Sequence, residues 1–199
     1  MRVKVAVLVS GGGTNLQALL DANLQHGEIA FVLSNRKAAY ALERARARGV
    51  ETAVLSNVME PDPVRRDEKL LEMLRARGIQ VVALAGYLGI LGEKTVSAYE
   101  NRIVNIHPAL IPSFCGKGYY GLRVHEAALA RGVKVTGATA HLVNLGVDEG
   151  PILLQKAVDV LPGDTPETLQ KRVMEQAEWI ILPEAAEAVA ERLEGESDR

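Results

Sequence analysis

Asn105, His107 and Asp148 are residue types that can together manage addition to a carbonyl. Asn105 and His107 lie in Asn105-Ile106-His107-Pro108-Ala109-Leu110, which leaves a short apolar strand; Asp148 comes later, in Val147-Asp148-Glu149-Gly150-Pro151. When an amine attacks a carbonyl, an oxyanion develops at a tetrahedral centre and must meet donors already in place. The Asn105 amide could donate a hydrogen bond there, and His107, kept protonated by Asp148, could supply charge and a proton. Pro108 removes one backbone donor and fixes φ, so the chain beyond His107 is stiff. Taken alone, an Asn-x-His at a strand end is more often a turn or a cap. The weight of the chemical reading therefore rests on the elements around it.

Those elements alternate. Apolar runs of four to eight residues are interleaved with segments of helical period, the pattern of a parallel α/β sheet. Strands are expected at Val3–Val9, Ile29–Leu33, Thr52–Leu55, Val81–Ala85 and Ile103–Ile106. Helices are expected at Thr14–Gln25, Ala39–Arg48 ended by Gly49, Arg66–Arg77 ended by Gly78, and Arg123–Arg131 ended by Gly132. A loop rich in proline and glycine spans Pro108–Gly121. Val133–Val143 and Ile152–Val160 read as longer strands with partial alternation, an antiparallel pair that extends the sheet. Thr165–Glu194 reads as a long helix broken near Pro183, and Gly195–Arg199 as a frayed polar tail. The fold class is α/β: a Rossmann-like, mostly parallel central sheet flanked by helices and extended by C-terminal antiparallel strands.

With 199 residues the chain is expected to form one domain, 1–199, able to bury about 70% of its unfolded surface. A soft change of character near residue 100 separates a nucleotide-phosphate half, 1–100, from a catalytic half, 101–199. Apolar residues make up 48%, charged residues 24%, and the net charge is −2, so there is no basic field for nucleic acid. The apolar start is interrupted by Lys4 and too short for a membrane span. The single cysteine, Cys115, cannot form an internal disulfide, and no metal-ligand cluster surrounds it. A cytoplasmic location fits these features.

Ser10-Gly11-Gly12-Gly13-Thr14-Asn15 joins the first strand to the first helix. Such a loop lets backbone N–H groups and a helix dipole meet a phosphate. The third glycine of a dinucleotide fingerprint is replaced by Leu16, no acidic residue follows the second strand at Ser34-Asn35-Arg36, and a Walker lysine is missing. A terminal phosphate monoester fits better than NAD or ATP; a plain tight turn is the alternative. Gly86-Tyr87-Leu88-Gly89-Ile90-Leu91 follows the most apolar strand, and in open α/β sheets ligands sit beyond the carboxyl ends of strands. It reads equally as a wall for a flat heterocycle or as a core turn. His141, seven residues before Asp148, reads as a buried histidine bonded to backbone. His125 reads as a surface or packing residue, His26 as exposed, Trp179 as core. Glu178 is a solvated position unless its helix passes the phosphate loop, and Arg65-Arg66-Asp67-Glu68-Lys69 reads as a helix surface.

Together these segments resemble the phosphoribosylglycinamide formyltransferases, over nearly the whole chain from Val3 to about Pro183. The motifs are Ser10-Gly-Gly-Gly-Thr-Asn-Leu-Gln17, Ser34-Asn35-Arg36, Leu84-Ala-Gly-Tyr87 with Ile90-Leu91, Asn105-Ile-His-Pro-Ala-Leu110, Gly137-Ala-Thr-Ala-His141 and Asp148-x-Gly-Pro151. The Asn-Ile-His-Pro segment marks only the superfamily, which includes methionyl-tRNA formyltransferases and formyltetrahydrofolate hydrolases; the glycine loop is the specific part.

The resemblance implies transfer of a formyl group from 10-formyltetrahydrofolate to phosphoribosylglycinamide, with no metal. Partners would be small molecules, with no nucleic acid or membrane, and the protein a monomer or homodimer. Asn105, His107 and Asp148 would be the catalytic set. Gly12, Gly13, Thr14 and Asn15 would hold phosphate and Glu178 the ribose hydroxyls. Tyr87, Leu88, Gly89, Ile90, Leu91, Val143, Asn144 and Val147 would hold the folate, with His141, Thr139, Arg65 and Arg66 in support, and Pro112 would be cis. A formyl-folate hydrolase is the alternative activity. The chain departs from the family at Leu88-Gly89, usually Met-Arg, at Pro63-Val-Arg-Arg-Asp67, usually Arg-Glu-x-Tyr-Asp, and at Trp179, usually His. These departures bear on the folate tail and the ribose end.

Overall fold

The computed structural model describes residues 2–197. Its elements run β1 (Val3–Val9), α1 (Thr14–Asp21), β2 (Gly27–Ser34), α2 (Ala41–Ala47), β3 (Glu51–Val54), α3 (Pro63–Ala76), β4 (Val81–Leu84) and α4 (Glu93–Ala98). The second half continues with β5 (Ile103–His107), α5 (Leu122–Arg131), β6 (Val135–Leu142), β7 (Ile152–Asp159), α6 (Pro166–Val173), a π-helical turn (Met174–Glu178) and α7 (Trp179–Ser197). The seven strands form one sheet in the order β3-β2-β1-β4-β5-β6-β7. Pairing is parallel from β3 to β5, and antiparallel for β5 with β6 and β6 with β7. The sheet runs without interruption across residue 100.

The apolar strand runs are explained by burial on both faces. Val5, Val7 and Val9 of β1 pack with Leu16, Leu19, Leu42 and Leu182 on one side. Ala6 and Leu8 point the other way, toward Phe31, Leu70, Leu74 and Val96. Helices α1, α2 and α7 thus cover one face, α3 and α4 the other.

Helix boundaries differ from the expected ones where a distant side chain takes the terminal backbone groups. Helix α1 stops at Asp21 rather than Gln25 because the backbone N–H groups of Gln25, His26 and Gly27 donate to the Glu187 carboxylate of α7, at 2.7, 2.8 and 3.2 Å. Helix α3 begins earlier than Arg66: Asp62 caps it, accepting from Val64 N, and Pro63 opens the first turn. Helix α4 is an addition to the expected set. Its first N–H groups, and that of Gly92 before it, donate to buried Asp67 of α3, so a residue read as part of a charged surface is an internal cap.

The long C-terminal helix is interrupted by the π turn at Met174–Glu178 and continues through Pro183. A π turn carries an extra residue, which re-phases the helix face; Pro183 lies just after it. The helix reaches Ser197, so Gly195 to Ser197 continue the helix rather than fray, while Asp198 and Arg199 lie outside the described residues. No described helix is long and apolar enough to cross a membrane.

Candidate active site

Strand order reverses between β1 and β4, and the loops leaving them define a crevice at the carboxyl edge of the sheet. Ser10 ties the two loops together: its hydroxyl donates to Asn35 Oδ1 at 2.7 Å and accepts from Leu88 N at 2.8 Å. Gly13 occupies the N-cap of α1 with φ 75°, and no side chain caps the helix. The first N–H groups of α1 are therefore left for an anion. From behind, Arg44 Nε donates to Gly12 O at 2.8 Å and Ala41 N to Gly11 O at 3.1 Å. Gly12 and Thr14 are exposed and Gly13 half-buried, whereas Asn15 turns inward, with Nδ2 2.7 Å from Glu178 Oε2. The late helix does pass the phosphate loop, and Glu178 is buried there. Burial pushes its carboxyl up to about 7, against the pull of the Asn15 amide.

Asn105 and His107 are two residues apart on β5 and so share one face of the sheet. Across the antiparallel pair, His141 stands opposite Asn105 and Thr139 opposite His107. Asp148 closes the group, with Oδ2 3.5 Å from His107 Nδ1 and Oδ1 3.5 Å from His141 Nε2. His141 Nδ1–H donates to Leu142 O at 2.8 Å, and Asn105 Nδ2 lies 3.1 Å from His141 Nε2, to which it donates. That bond orients the amide and leaves its second N–H free. His141 is bonded to backbone as expected, and it also faces Asp148. Thr139 accepts from Ile111 N at 3.1 Å and donates to Ala109 O at 2.7 Å, anchoring the chain around the cis Ile111–Pro112 bond.

Two backbone groups complete the cluster. His107 Nε2–H donates to Phe114 O at 2.8 Å, and Gly116 N–H donates to Asp148 Oδ2 at 2.9 Å. Phe114 and Asp148 adopt positive φ, 50° and 59°, to make this approach. The sequence offers little to find them by: any residue carries a carbonyl, and Gly116 is one glycine of several in its loop.

Electrostatics depart from expectation at His107. Burial lowers its affinity for a proton and outweighs the opposing pull of Asp148 and the Phe114 carbonyl; His141 lowers it further. Burial thus outweighs Asp148 here, and the expectation that Asp148 raises the proton affinity of His107 above its ordinary value is corrected. Burial also pushes the Asp148 carboxyl up, but the His141 contact, the Gly116 N–H and His107 together hold it below its ordinary value. Asp148 is a carboxylate.

The segments expected to hold a heterocycle present apolar surface. Leu88 and Ile90 are 51% and 89% exposed, and Val147 is 49% exposed. Tyr87, Leu91 and Val143 are half-buried against the second core, while Asn144 accepts from Gly146 N and shapes its own turn. A cavity of about 270 Å³ is lined by Asn35, Arg36, Asn57, Arg66 and residues 87–90. The Tyr87 ring lies over Gly89, so a Cβ there would sit 2.6 Å from it. Arg66 reaches this cavity; Arg65 does not and faces Asp62 at 3.9 Å. Among the described residues no group of His, Cys, Asp and Glu is arranged to hold a metal ion.

The remaining histidines separate. His26 is half-buried rather than exposed, with Nδ1 2.9 Å from Glu187 Oε1. His125 is fully buried, both ring nitrogens lack a partner, and burial, with a smaller contribution from its neighbour His107, pushes it down to about 4. The unfolded chain takes up this proton near pH 6.5 and the folded one near 4, so the stability is present above 6.5 and lost as pH falls toward 4. At 1.36 kcal/mol per unit, the loss is about 3 kcal/mol. His125→Leu is expected to flatten that acid limb in urea melts between pH 7.5 and 4.5. It should also gain about 1 kcal/mol at pH 7, because two unbonded nitrogens leave the core. An unchanged limb would refute this account. Trp179 is half-buried, with its indole Nε1 sealed and unbonded.

Residues 3–186 match the formyl transferase family. The chloroplastic phosphoribosylglycinamide formyltransferase of Arabidopsis thaliana is 38% identical over 201 residues, which cover 99% of this chain and 69% of that protein. The trifunctional purine biosynthetic protein adenosine-3 of Homo sapiens is 41% identical over 192 residues, covering 95% of this chain but 18% of the larger protein. Among solved structures, glycinamide ribonucleotide transformylase 1 from Symbiobacterium toebii superposes with a TM-score of 0.89 at 45% identity, covering 96% of this chain and 88% of that one.

Proposed function

The chain belongs to the formyl transferase family, and on that footing we propose that it transfers the formyl group of 10-formyltetrahydrofolate to the amine of phosphoribosylglycinamide in purine biosynthesis. One observation carries the reading. The Asn105 amide and the His107 ring share a sheet face with Asp148 3.5 Å from the ring, and the uncapped start of α1 opens on the same edge of the sheet. Exposed Leu88 and Ile90, beside a cavity lined in part by Arg36 and Arg66, suit a flat heterocycle with an anionic tail.

In this reading the phosphate rests on the N–H groups of Gly13 and Thr14, and Glu178 accepts from ribose hydroxyls. Both substrates bring negative charge, which raises the proton affinity of His107 from its low value in the free site. The amine attacks the formyl carbon directly. The free N–H of Asn105 and the charged ring of His107 then meet the oxygen that becomes negative. As the bond from the formyl carbon to the folate nitrogen breaks, one amine proton passes to that nitrogen, by way of a water held on Asp148. No covalent formyl-enzyme is needed. The chain works as one unit, with phosphate held by its first half and chemistry done in its second, as a cytoplasmic monomer or homodimer that binds no nucleic acid.

The test follows 10-formyltetrahydrofolate with and without the ribonucleotide. Expected is consumption that depends on the ribonucleotide and yields formylated product. Formate release that ignores the ribonucleotide would mark a hydrolase and overturn the proposal.

A further inference from the structure

Asn15 follows the glycine loop directly, where a phosphate ligand is expected, yet its side chain is 8% exposed and donates to a carboxylate 163 positions away. We infer that Asn15 is a positioning residue for Glu178, not a phosphate ligand, and that the pair sets a preference for ribose over deoxyribose in the sugar phosphate. The inference rests on the ribonucleotide reading above.

Three observations carry it. The Asn15 bond, 2.7 Å to Oε2, is the one hydrogen bond the Glu178 carboxylate makes. It fixes the carboxylate rotamer while Oε1 stays unbonded and is not among the sealed atoms, so Oε1 is the oxygen left for a hydroxyl. Next, Glu178 ends the π turn Met174–Glu178, whose added residue re-phases the helix face, and its carboxylate meets Asn15 of α1. The turn also brings Met174 Sδ to 3.8 Å from Thr14 Oγ1. Lastly, Asn15 Oδ1 is sealed and unbonded beside this carboxylate. Buried polar atoms of native proteins are nearly always bonded, and an orphan beside a carboxylate marks a place where a polar partner belongs. A site built to bond a hydroxyl rejects an analogue that lacks it, because its own groups are then left unpaired.

The experiment measures inhibition by ribose 5-phosphate, 2-deoxyribose 5-phosphate and inorganic phosphate. Wild type should bind ribose 5-phosphate about tenfold or more tightly than the deoxy sugar. Asn15→Ala should bring the two sugars within about twofold of each other, with inorganic phosphate unchanged and KM for the nucleotide raised more than kcat is lowered. Retained phosphate binding also reports a folded variant. Asn15→Ser, which returns an O–H donor, should recover part of the preference. If Asn15→Ala weakens all three ligands alike, Asn15 is a phosphate ligand and the inference fails. If wild type and Glu178→Gln bind both sugars equally while still binding phosphate, Glu178 is not a ribose ligand and the inference falls with it. The loop reading fails separately if wild type binds none of the three.

Discussion

Asn105→Ala is expected to lower kcat by about 10²-fold or more, the effect of removing one preorganised donor worth about 3–4 kcal/mol. The donor is well prepared. His141 Nδ1–H is committed to Leu142 O, so Nε2 accepts from Asn105 and the second amide N–H is aimed before substrate arrives. Preorganisation of this kind acts on the transition state, where negative charge has developed, and little on the ground state. KM for the nucleotide should therefore stay within about threefold, because in the proposed reading its phosphate rests at α1 and not on the Asn105 amide. Asn105→Asp should fall at least as far, since it places a negative charge where another must form. Steady-state kinetics with 10-formyltetrahydrofolate decide the matter. An Asn105→Ala enzyme within threefold of wild type in kcat would remove the amide from the mechanism.

Gly13→Ala should act on the other substrate end. At φ 75° a non-glycine residue pays about 1–3 kcal/mol in strain. The added Cβ would also lie 2.6 Å from Ala41 Cβ and 2.8 Å from Ala41 Cα. The second contact is with backbone, which a packed helix cannot move cheaply. The loop must therefore shift, and the N–H groups at the start of α1 lose their aim. A shift costing about 3 kcal/mol of binding raises KM for the nucleotide by about 10²-fold, with a lower melting temperature as the second sign. Gly11 and Gly12 provide the contrast: neither has a positive φ, and a Cβ at either would meet nothing within 4 Å. Gly11→Ala and Gly12→Ala should stay within about threefold of wild type. Equal KM effects at all three glycines would mean that backbone flexibility, rather than the geometry at Gly13, governs the loop.

The sheet is legible in the sequence because its code is local. An unbroken apolar run such as Val81–Leu84 can be buried on both faces, and that pattern lies within a few residues. The strand period of two likewise puts Asn105 and His107 on one face from their spacing alone. Helix ends are less legible because three of their determinants are tertiary. Glu187 ends α1, Asp67 caps α4, and the π turn at Met174–Glu178 re-phases the C-terminal helix, which then runs on through Pro183 instead of breaking there. No window of neighbouring residues contains both a helix start and a cap 25 positions upstream.

At the candidate site the division is sharper. By itself, the chain determined its alternation of strand and helix, the glycine turn after β1, and the residue types of the candidate site. Only the tertiary structure decided that Asp148 lies 3.5 Å from both histidines, that Arg66 rather than Arg65 reaches the cavity, that Asn15 faces Glu178, and that burial lowers the proton affinity of His107. The physical reason is one of range. Backbone periodicity and turn chemistry act over a few residues, whereas desolvation and pairing between distant side chains depend on which surfaces the folded chain brings together.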